Sequence, residues 1–293
     1  MYIGGEKVME KINQYILNKV FTVPYIDKLI TSVQPPDTFV NCVTRYVTKE
    51  NVSYGNAISE IYEYMGSEYR NEYYYKNTLL NELLLKKHNL HSTAALTELP
   101  IGNSKADFVM INGKGIVYEI KTDLDNLLRL QNQIDDYFKV FSYVNVVVGR
   151  KQLENVNEFL MDSKVGIIEL TANNKLISRK KAGYNRDNLD YETMFQLLRK
   201  HEFEYILNKH FNKLPKVNAF EYYRECLNWI KKINIITLQK DIMECLKRRT
   251  LIMVEKKDYE VVPDELSFYA YFSKKYRQNS KVFKDFLEKE VGV

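Results

Sequence analysis

Three residues near the middle of the chain, Asp107, Glu119 and Lys121, have the types and spacing for metal-assisted hydrolysis. Alternation along Lys105–Ile111 puts Asp107, Val109 and Ile111 on one strand face and Ala106, Phe108 and Met110 on the other. Along Gly115–Lys121, Val117, Glu119 and Lys121 share a face opposite Ile116, Tyr118 and Ile120. Two charged side chains at i and i+2 of an apolar strand are costly to bury unpaired. A hard divalent cation answers that cost. Carboxylate oxygens of Asp107 and Glu119, with the backbone carbonyl of Ile120, are the ligands that Mg²⁺ or Mn²⁺ prefers. Lys121, beside the ion, would orient or help deprotonate a water and offset charge developing on a phosphate. Metal-activated water with charge stabilisation is what phosphodiester hydrolysis requires. The plainer alternatives are a turn-proximal carboxylate or a hydrogen-bonded strand residue for Asp107 and a cross-strand ion pair on a half-exposed sheet for Glu119 and Lys121.

The elements that must position these residues are legible from periodicity. KNTLLNELLLKKH, residues 76–88, reads as an amphipathic helix, followed by β-like runs at Ser92–Leu99, Lys105–Ile111 and Gly115–Lys121. Gly102-Asn103 and Asn112-Gly113 separate the three runs, and Asn-Gly between apolar runs is a hairpin signal. Leu124–Phe141 reads as a helix with Leu127, Leu130, Ile134, Phe138 and Phe141 on one stripe, and Asp125 as its N-cap. Tyr143–Val148 reads as a buried strand, Gln152–Leu160 as a helix and Val165–Leu170 as a further strand. The order α-β-β-β-α-β, then α-β, implies a three-layer α/β unit. Around it the chain reads as helical. The boundaries drawn are a helical N-terminal region 1–75, a core 76–184 and a helical C-terminal region 185–293. In the last, Tyr191–Phe211, Ala219–Lys232, Leu238–Lys247 and Asp264–Glu290 are helices and Leu251–Val254 is weakly β-like.

In this setting the sequence resembles the PD-(D/E)XK nuclease superfamily. Ala106-Asp107 followed by Glu119-Ile120-Lys121 matches its Asp and (Asp/Glu)-x-Lys, with alanine in place of the proline. Gln133-Ile134-Asp135-Asp136-Tyr137 matches the QxxxY motif of the RecB-like branch, and Gln133 and Tyr137, four apart, share a helix face. The stretch from Gly115 to Gly149 also looks like little-characterised bacterial and phage members with helical flanks. The resemblance covers residues 76–150 well and the flanks loosely. It implies a restriction-endonuclease-like α/β core, catalysis by Asp107, Glu119 and Lys121, and Gln133 and Tyr137 ordering the site or touching the DNA backbone. It also implies a metal held by Asp107, Glu119 and Ile120, with Glu82 matching an acidic residue that many members carry near the metal. Glu82 lies among leucines and reads equally as the solvent face of its helix, whereas Glu98 is open as an additional acidic ligand but reads more readily as a solvated strand-end residue. The function implied is a Mg²⁺- or Mn²⁺-dependent nuclease acting on DNA, in phage defence or a mobile element. The alternative is a catalytically silent module that binds nucleic acid or a partner.

Composition narrows the other classes. A net charge of +5 permits a polyanionic partner without requiring one. The short clusters Arg179-Lys180-Lys181, Lys247-Arg248-Arg249 and Lys274-Lys275 with Arg277 read as solvated faces. Three widely spaced cysteines (Cys42, Cys226 and Cys245) suit neither a zinc site nor a disulfide framework. Four histidines without HExxH or HxH make a zinc hydrolase unexpected, and no P-loop or GxGxxG motif occurs. Neither a signal-peptide pattern nor an apolar run of the ~18 residues that span a bilayer is found, so a cytoplasmic location without membrane contact is expected. A protein partner or homo-oligomer stays open.

Overall fold

The computed structural model describes residues 14–88, 90, 92–250 and 262–292. The Leu251–Val254 reading lies outside them. The chain is mixed α/β, with a six-stranded sheet and helical N- and C-terminal regions. It divides into two compact units, Met1–Leu83 with Glu255–Val293, and Leu84–Val254.

The first unit is helical. Its helices α1 (Val23–Thr31), α2 (Asp37–Tyr46), α3 (Tyr54–Glu68) and α4 (Glu72–Leu79) begin at local signals. Side chains of Thr22, Ser53 and Asn71 accept the amide hydrogens of Tyr25, Asn56 and Tyr74, satisfying orphan donors of three first turns. The chain's end joins this unit through side chains that take up its backbone groups. The Asn77 amide donates to Asp264 O at 2.9 Å and accepts from Phe268 N at 2.8 Å, and Tyr73 donates to Glu265 O at 2.8 Å. Asp27 accepts from Tyr269 and Ser273. These bonds correct the boundaries drawn from sequence. The last helices belong with the first ones, whereas residues 191–250 pack on the sheet. The expected continuous helix Asp264–Glu290 is three short ones, Ser267–Phe272, Lys274–Gln278 and Ser280–Glu288.

The second unit holds the sheet, in the order β1 (Ala94–Ile101), β2 (Ser104–Asn112), β3 (Lys114–Lys121), β4 (Tyr143–Val148), β5 (Gly166–Leu170), β6 (Leu176–Lys180). β1, β2 and β3 are antiparallel neighbours, β3, β4 and β5 run parallel, and β6 returns antiparallel. The parallel steps are made by α5 (Leu130–Phe138) and α6 (Arg150–Phe159). Ile134, Tyr137 and Phe138 of α5, and Leu153 and Val156 of α6, share one apolar core with Val144, Val146 and Val148 of β4. After β6 come α7 (Tyr191–Gln196), α8 (Lys200–Phe211), α9 (Ala219–Ile230) and α10 (Ile235–Thr250). Ile206, Ile230, Ile242 and Leu246 bury themselves in the same core, which is why these helices belong to the sheet unit.

Four elements differ from the periodicity reading. Helix 124–141 is shorter because residues 122–129 form a turn, in which Asp125 accepts the amide and hydroxyl hydrogens of Thr122 at 2.7 Å each. Asp125 therefore closes that turn and does not cap α5, whose N-cap is Arg129. Helix 76–88 is instead α4 running into a π-helical turn, Leu80–Leu85. Helix 191–211 is broken between α7 and α8. Strand β6 gave no sequence signal, since as an edge strand its middle residues Ile177, Ser178 and Arg179 are all exposed and show no buried alternate face.

Candidate active site

The site forms where two strands part. The β2–β3 ladder runs from Asn112 opposite Lys114 to Phe108 opposite Tyr118 and ends there, while β2 goes on pairing with β1 through Ala106 and Lys105. At this fork Asp107 supplies the missing acceptor, its Oδ2 taking the Ile120 amide hydrogen at 2.7 Å. In an extended strand the N–H and C=O of one residue point to the same side. The Ile120 carbonyl therefore faces the fork as well.

Glu98 lies across from Asp107 and drops out of the ladder between Thr97–Phe108 and Leu99–Ala106. Its φ of 54° is left-handed, a conformation that costs a non-glycine residue of order 1–3 kcal/mol. The consequence is visible in the packing. Leu96 before it and Leu99 and Ile101 after it all enter the same core, so alternation skips a step. On β2 the same skip puts Ala106 in the core with Val109 and Ile111, which corrects the simple face assignment. A carboxylate oxygen of Glu98 lies within 4.8 Å of one of Asp107. The strand-end reading of Glu98 missed this kink, because a positive φ in a strand leaves no compositional mark.

Glu119 is 1% exposed, and its charge is compensated by three side chains. Lys121 Nζ donates to Oε1 at 2.9 Å, Gln133 Nε2 donates to the same oxygen at 2.6 Å, and the Tyr137 hydroxyl lies 2.6 Å from Oε2. Lys121 also donates to Gln133 Oε1 at 2.8 Å, so the Gln133 amide bridges the pair with both its ends. The Tyr137 hydroxyl is also 2.9 Å from Lys105 O, on the strand that carries Asp107. Burial first, and the Glu119 charge second, push its ionisation well above the ordinary tyrosine range, so it remains a donor. The half-exposed cross-strand pair considered for Glu119 and Lys121 is thus replaced by a buried pair on one strand.

Helix α5 is held in register with the strands by Asp136. Its carboxylate accepts from Asn103 N at 3.1 Å, Ser104 Oγ at 2.7 Å and Lys139 Nζ at 2.8 Å. Burial would raise its pKa, but the Lys139 and Ser104 bonds outweigh that and hold it below the usual carboxylate value. Gly102 makes the turn possible. Its φ is +58°, and a Cβ there would sit 2.7 Å from Asp136 Oδ1.

A second charged cluster lies at the ends of the parallel strands. Lys121 pairs in register with Val148, and Val148 with Glu169, so Glu169 lies two strands from Lys121, roughly 10 Å away at the usual strand spacing. Buried Glu169 accepts from Arg179 Nε at 2.6 Å, and Arg150 NH1 is 4.0 Å away. Arg179, although exposed, therefore compensates a buried carboxylate. A lone carboxylate in the apolar run GIIEL was the available signal.

Asp107, Glu119, Ile120, Lys121, Gln133 and Tyr137 are thus brought together within one unit. Glu82 is half-buried on the π-helical turn Leu80–Leu85 and belongs to the first unit. The donors at the fork, carboxylates of Asp107 and Glu98 and the Ile120 carbonyl, are hard oxygens whose chemistry fits Mg²⁺ or Mn²⁺. Glu119 fits with less room, since three donors use most of the roughly four acceptor positions of a carboxylate.

This chain belongs to the bacteriophage P4 protein cII family, whose model matches residues 65–270. It is 27% identical over 175 residues to Protein cII of Enterobacteria phage P4, a match covering 58% of this chain and 64% of that protein's length. The solved structure of Pyrococcus furiosus SfsA in complex with Ca²⁺ aligns at 13% identity with 45% of this chain and 68% of its own. The TM-score of that alignment is 0.23.

Proposed function

We propose that this member of the phage P4 cII family is a Mg²⁺- or Mn²⁺-dependent nuclease that hydrolyses phosphodiester bonds, with DNA as its substrate. The supporting observation is the convergence of Lys121, Gln133 and Tyr137 on buried Glu119, beside the fork where Asp107 holds Ile120. Asp107, the Ile120 carbonyl and Glu119, with Glu98, would hold the ion. When bound, the ion would lower the pKa of a water and neutralise phosphate charge. Lys121 has three N–H donors, and Glu119 and Gln133 accept two of them. The third is left for a phosphate oxygen or the attacking water. Gln133 and Tyr137 fix the direction of Lys121 and Glu119, and Arg150 and Arg179 offer charge to neighbouring phosphates. A cytoplasmic setting, in phage defence or a mobile element, goes with this reading. Among the described residues no helix is long and apolar enough to cross a membrane.

One observation favours a second reading, a silent module that binds nucleic acid without cutting it. The Glu119–Lys121–Gln133 network satisfies itself internally, as a purely structural buried cluster does. The two readings separate when the purified chain meets linear, circular and single-stranded DNA and RNA with Mg²⁺ or Mn²⁺. The nuclease reading expects EDTA-sensitive cleavage of DNA. It expects loss of cleavage in Asp107→Ala and Glu119→Ala, with salt-sensitive nucleic-acid binding retained in Glu119→Ala. Binding without cleavage by the unmodified chain would establish the silent module, and undiminished cleavage by Glu119→Ala would overturn the site.

A further inference from the structure

A second feature of the sheet unit has no part in that chemistry. Helices α8 and α10 border a cavity of about 470 Å³ lined by Arg199, His201, Glu202, Tyr205, Cys245, Arg248 and Arg249. Its size falls in the range of small-ligand pockets, roughly 300–1,000 Å³. Three guanidinium groups line it against one carboxylate. Arg249 is the fixed member. Its side chain is 12% exposed, pairs with buried Glu202 and donates to Leu197 O at 2.8 Å. Burial would raise the Glu202 pKa, but Arg249 and the Arg199 amide hold it below the usual value, so its charge is spent on Arg249. The two remaining guanidiniums are exposed to the cavity side. Arg248 lies 4.7 Å from the centre of the Tyr205 ring, donates to the Tyr205 hydroxyl at 3.2 Å and pairs with Glu244. Arg199 is exposed and forms no direct ion pair among the described residues. Cys245 contributes no charge, because burial pushes its thiol up to about 11. Within the basic triplet Lys247-Arg248-Arg249, which in the sequence reads as a solvated face, Arg249 therefore forms a buried ion pair and Arg248 an exposed one beside the Tyr205 ring.

We propose that this cavity is a binding site for a phosphoryl anion carrying two or more negative charges, taken by Arg199 and Arg248 with His201 at the rim. Guanidinium groups match paired phosphate oxygens in geometry as well as charge. The cavity is wider than a single carboxylate needs and suits a diphosphate. The chemistry has two natural sources, a free nucleotide polyphosphate and the phosphorylated end of a nucleic-acid strand. The site does not depend on the nuclease reading, because its residues lie at the start of α8 and the end of α10 and not on the strands that carry Asp107, Glu119 and Lys121.

Isothermal titration calorimetry on the full chain tests it, with inorganic pyrophosphate, ADP, and a short oligonucleotide with and without a 5′-phosphate as probes, in EDTA. Saturable binding of pyrophosphate is expected. It should weaken at least about tenfold in Arg199→Ala/Arg248→Ala, as expected when charge-assisted hydrogen bonds are lost. Both positions are solvent-exposed, and circular dichroism confirms the variant's fold. Asp107→Ala should bind as the unmodified chain does. Tighter binding of ADP than of the oligonucleotide points to the free nucleotide. Preference for the 5′-phosphorylated over the unphosphorylated oligonucleotide points to a strand end. No saturable binding of any phosphorylated probe, or equal affinity in the double variant, overturns the proposal.

Discussion

Removing the Tyr137 hydroxyl tests how the candidate site is held together. Tyr137 is fully buried, and its hydroxyl serves Glu119 Oε2 at 2.6 Å and Lys105 O at 2.9 Å. Phenylalanine keeps the ring packing, so Tyr137→Phe removes only the polar partner of a carboxylate that is 1% exposed. A hydrogen bond to a charged group is worth about 1.5–3 kcal/mol, and at this burial solvent offers no replacement. With a loss of about 2 kcal/mol, Tm should fall by roughly 4–8 °C, given ~2–4 °C per kcal/mol for a unit of this size. Because the tyrosine's ionisation is raised above its unfolded value, the difference should be full below about pH 10 and shrink as pH rises beyond it. The coupling is read from a double-mutant cycle with Glu119→Gln. With no charge left to satisfy, Tyr137→Phe should cost less in that background by about 1 kcal/mol. Thermal melts by circular dichroism in EDTA measure both quantities. A Tyr137→Phe variant that melts within about 1 °C of the unmodified chain, or pays the same cost without the Glu119 charge, refutes the reasoning.

The remaining predictions concern the ion, the lysine and the turn. Mn²⁺ should raise the melting temperature by linkage, about 2.7 kcal/mol at a hundredfold excess over Kd, with reversal by EDTA and loss of the effect in Asp107→Ala. Unchanged metal stabilisation in that variant would place the ion elsewhere. Lys121→Ala should lower single-turnover cleavage by on the order of 10²-fold, with Gln133→Ala milder, and a rate equal to the unmodified chain's would remove Lys121 from the chemistry. Gly102→Ala should destabilise by at least about 1 kcal/mol in urea melts, since it meets both a left-handed φ and the Asp136 carboxylate; no change would mean the turn relaxes freely. Asp136→Asn should be less stable than the unmodified chain at pH 7. As the depressed Asp136 pKa requires, that gap should close as pH falls below about 4, and a gap constant down to pH 3 would count against the clamp.

Much of this arrangement is written locally. Alternation with Gly102-Asn103 and Asn112-Gly113 turns marks β1, β2 and β3, because a half-buried strand and a tight turn each leave a composition signature within a few residues. The i, i+4 spacing of Gln133 and Tyr137 places both on one face of α5 beside Ile134 and Phe138, which helical geometry alone requires. That Glu119 and Lys121 need compensation follows from two charges in an apolar strand. Which partners supply it does not, since Glu119 and Tyr137 are brought together only when α5 docks on the sheet. The skip at Glu98, the fork at Asp107 and the ion pair of Glu202 with Arg249 are decided by packing and ladder geometry, so no window of neighbouring residues contains them. The same holds for the grouping of the chain's last helices with its first. Asn77 and Asp264 are 187 positions apart, and a hydrogen bond at that separation is a property of the folded chain alone.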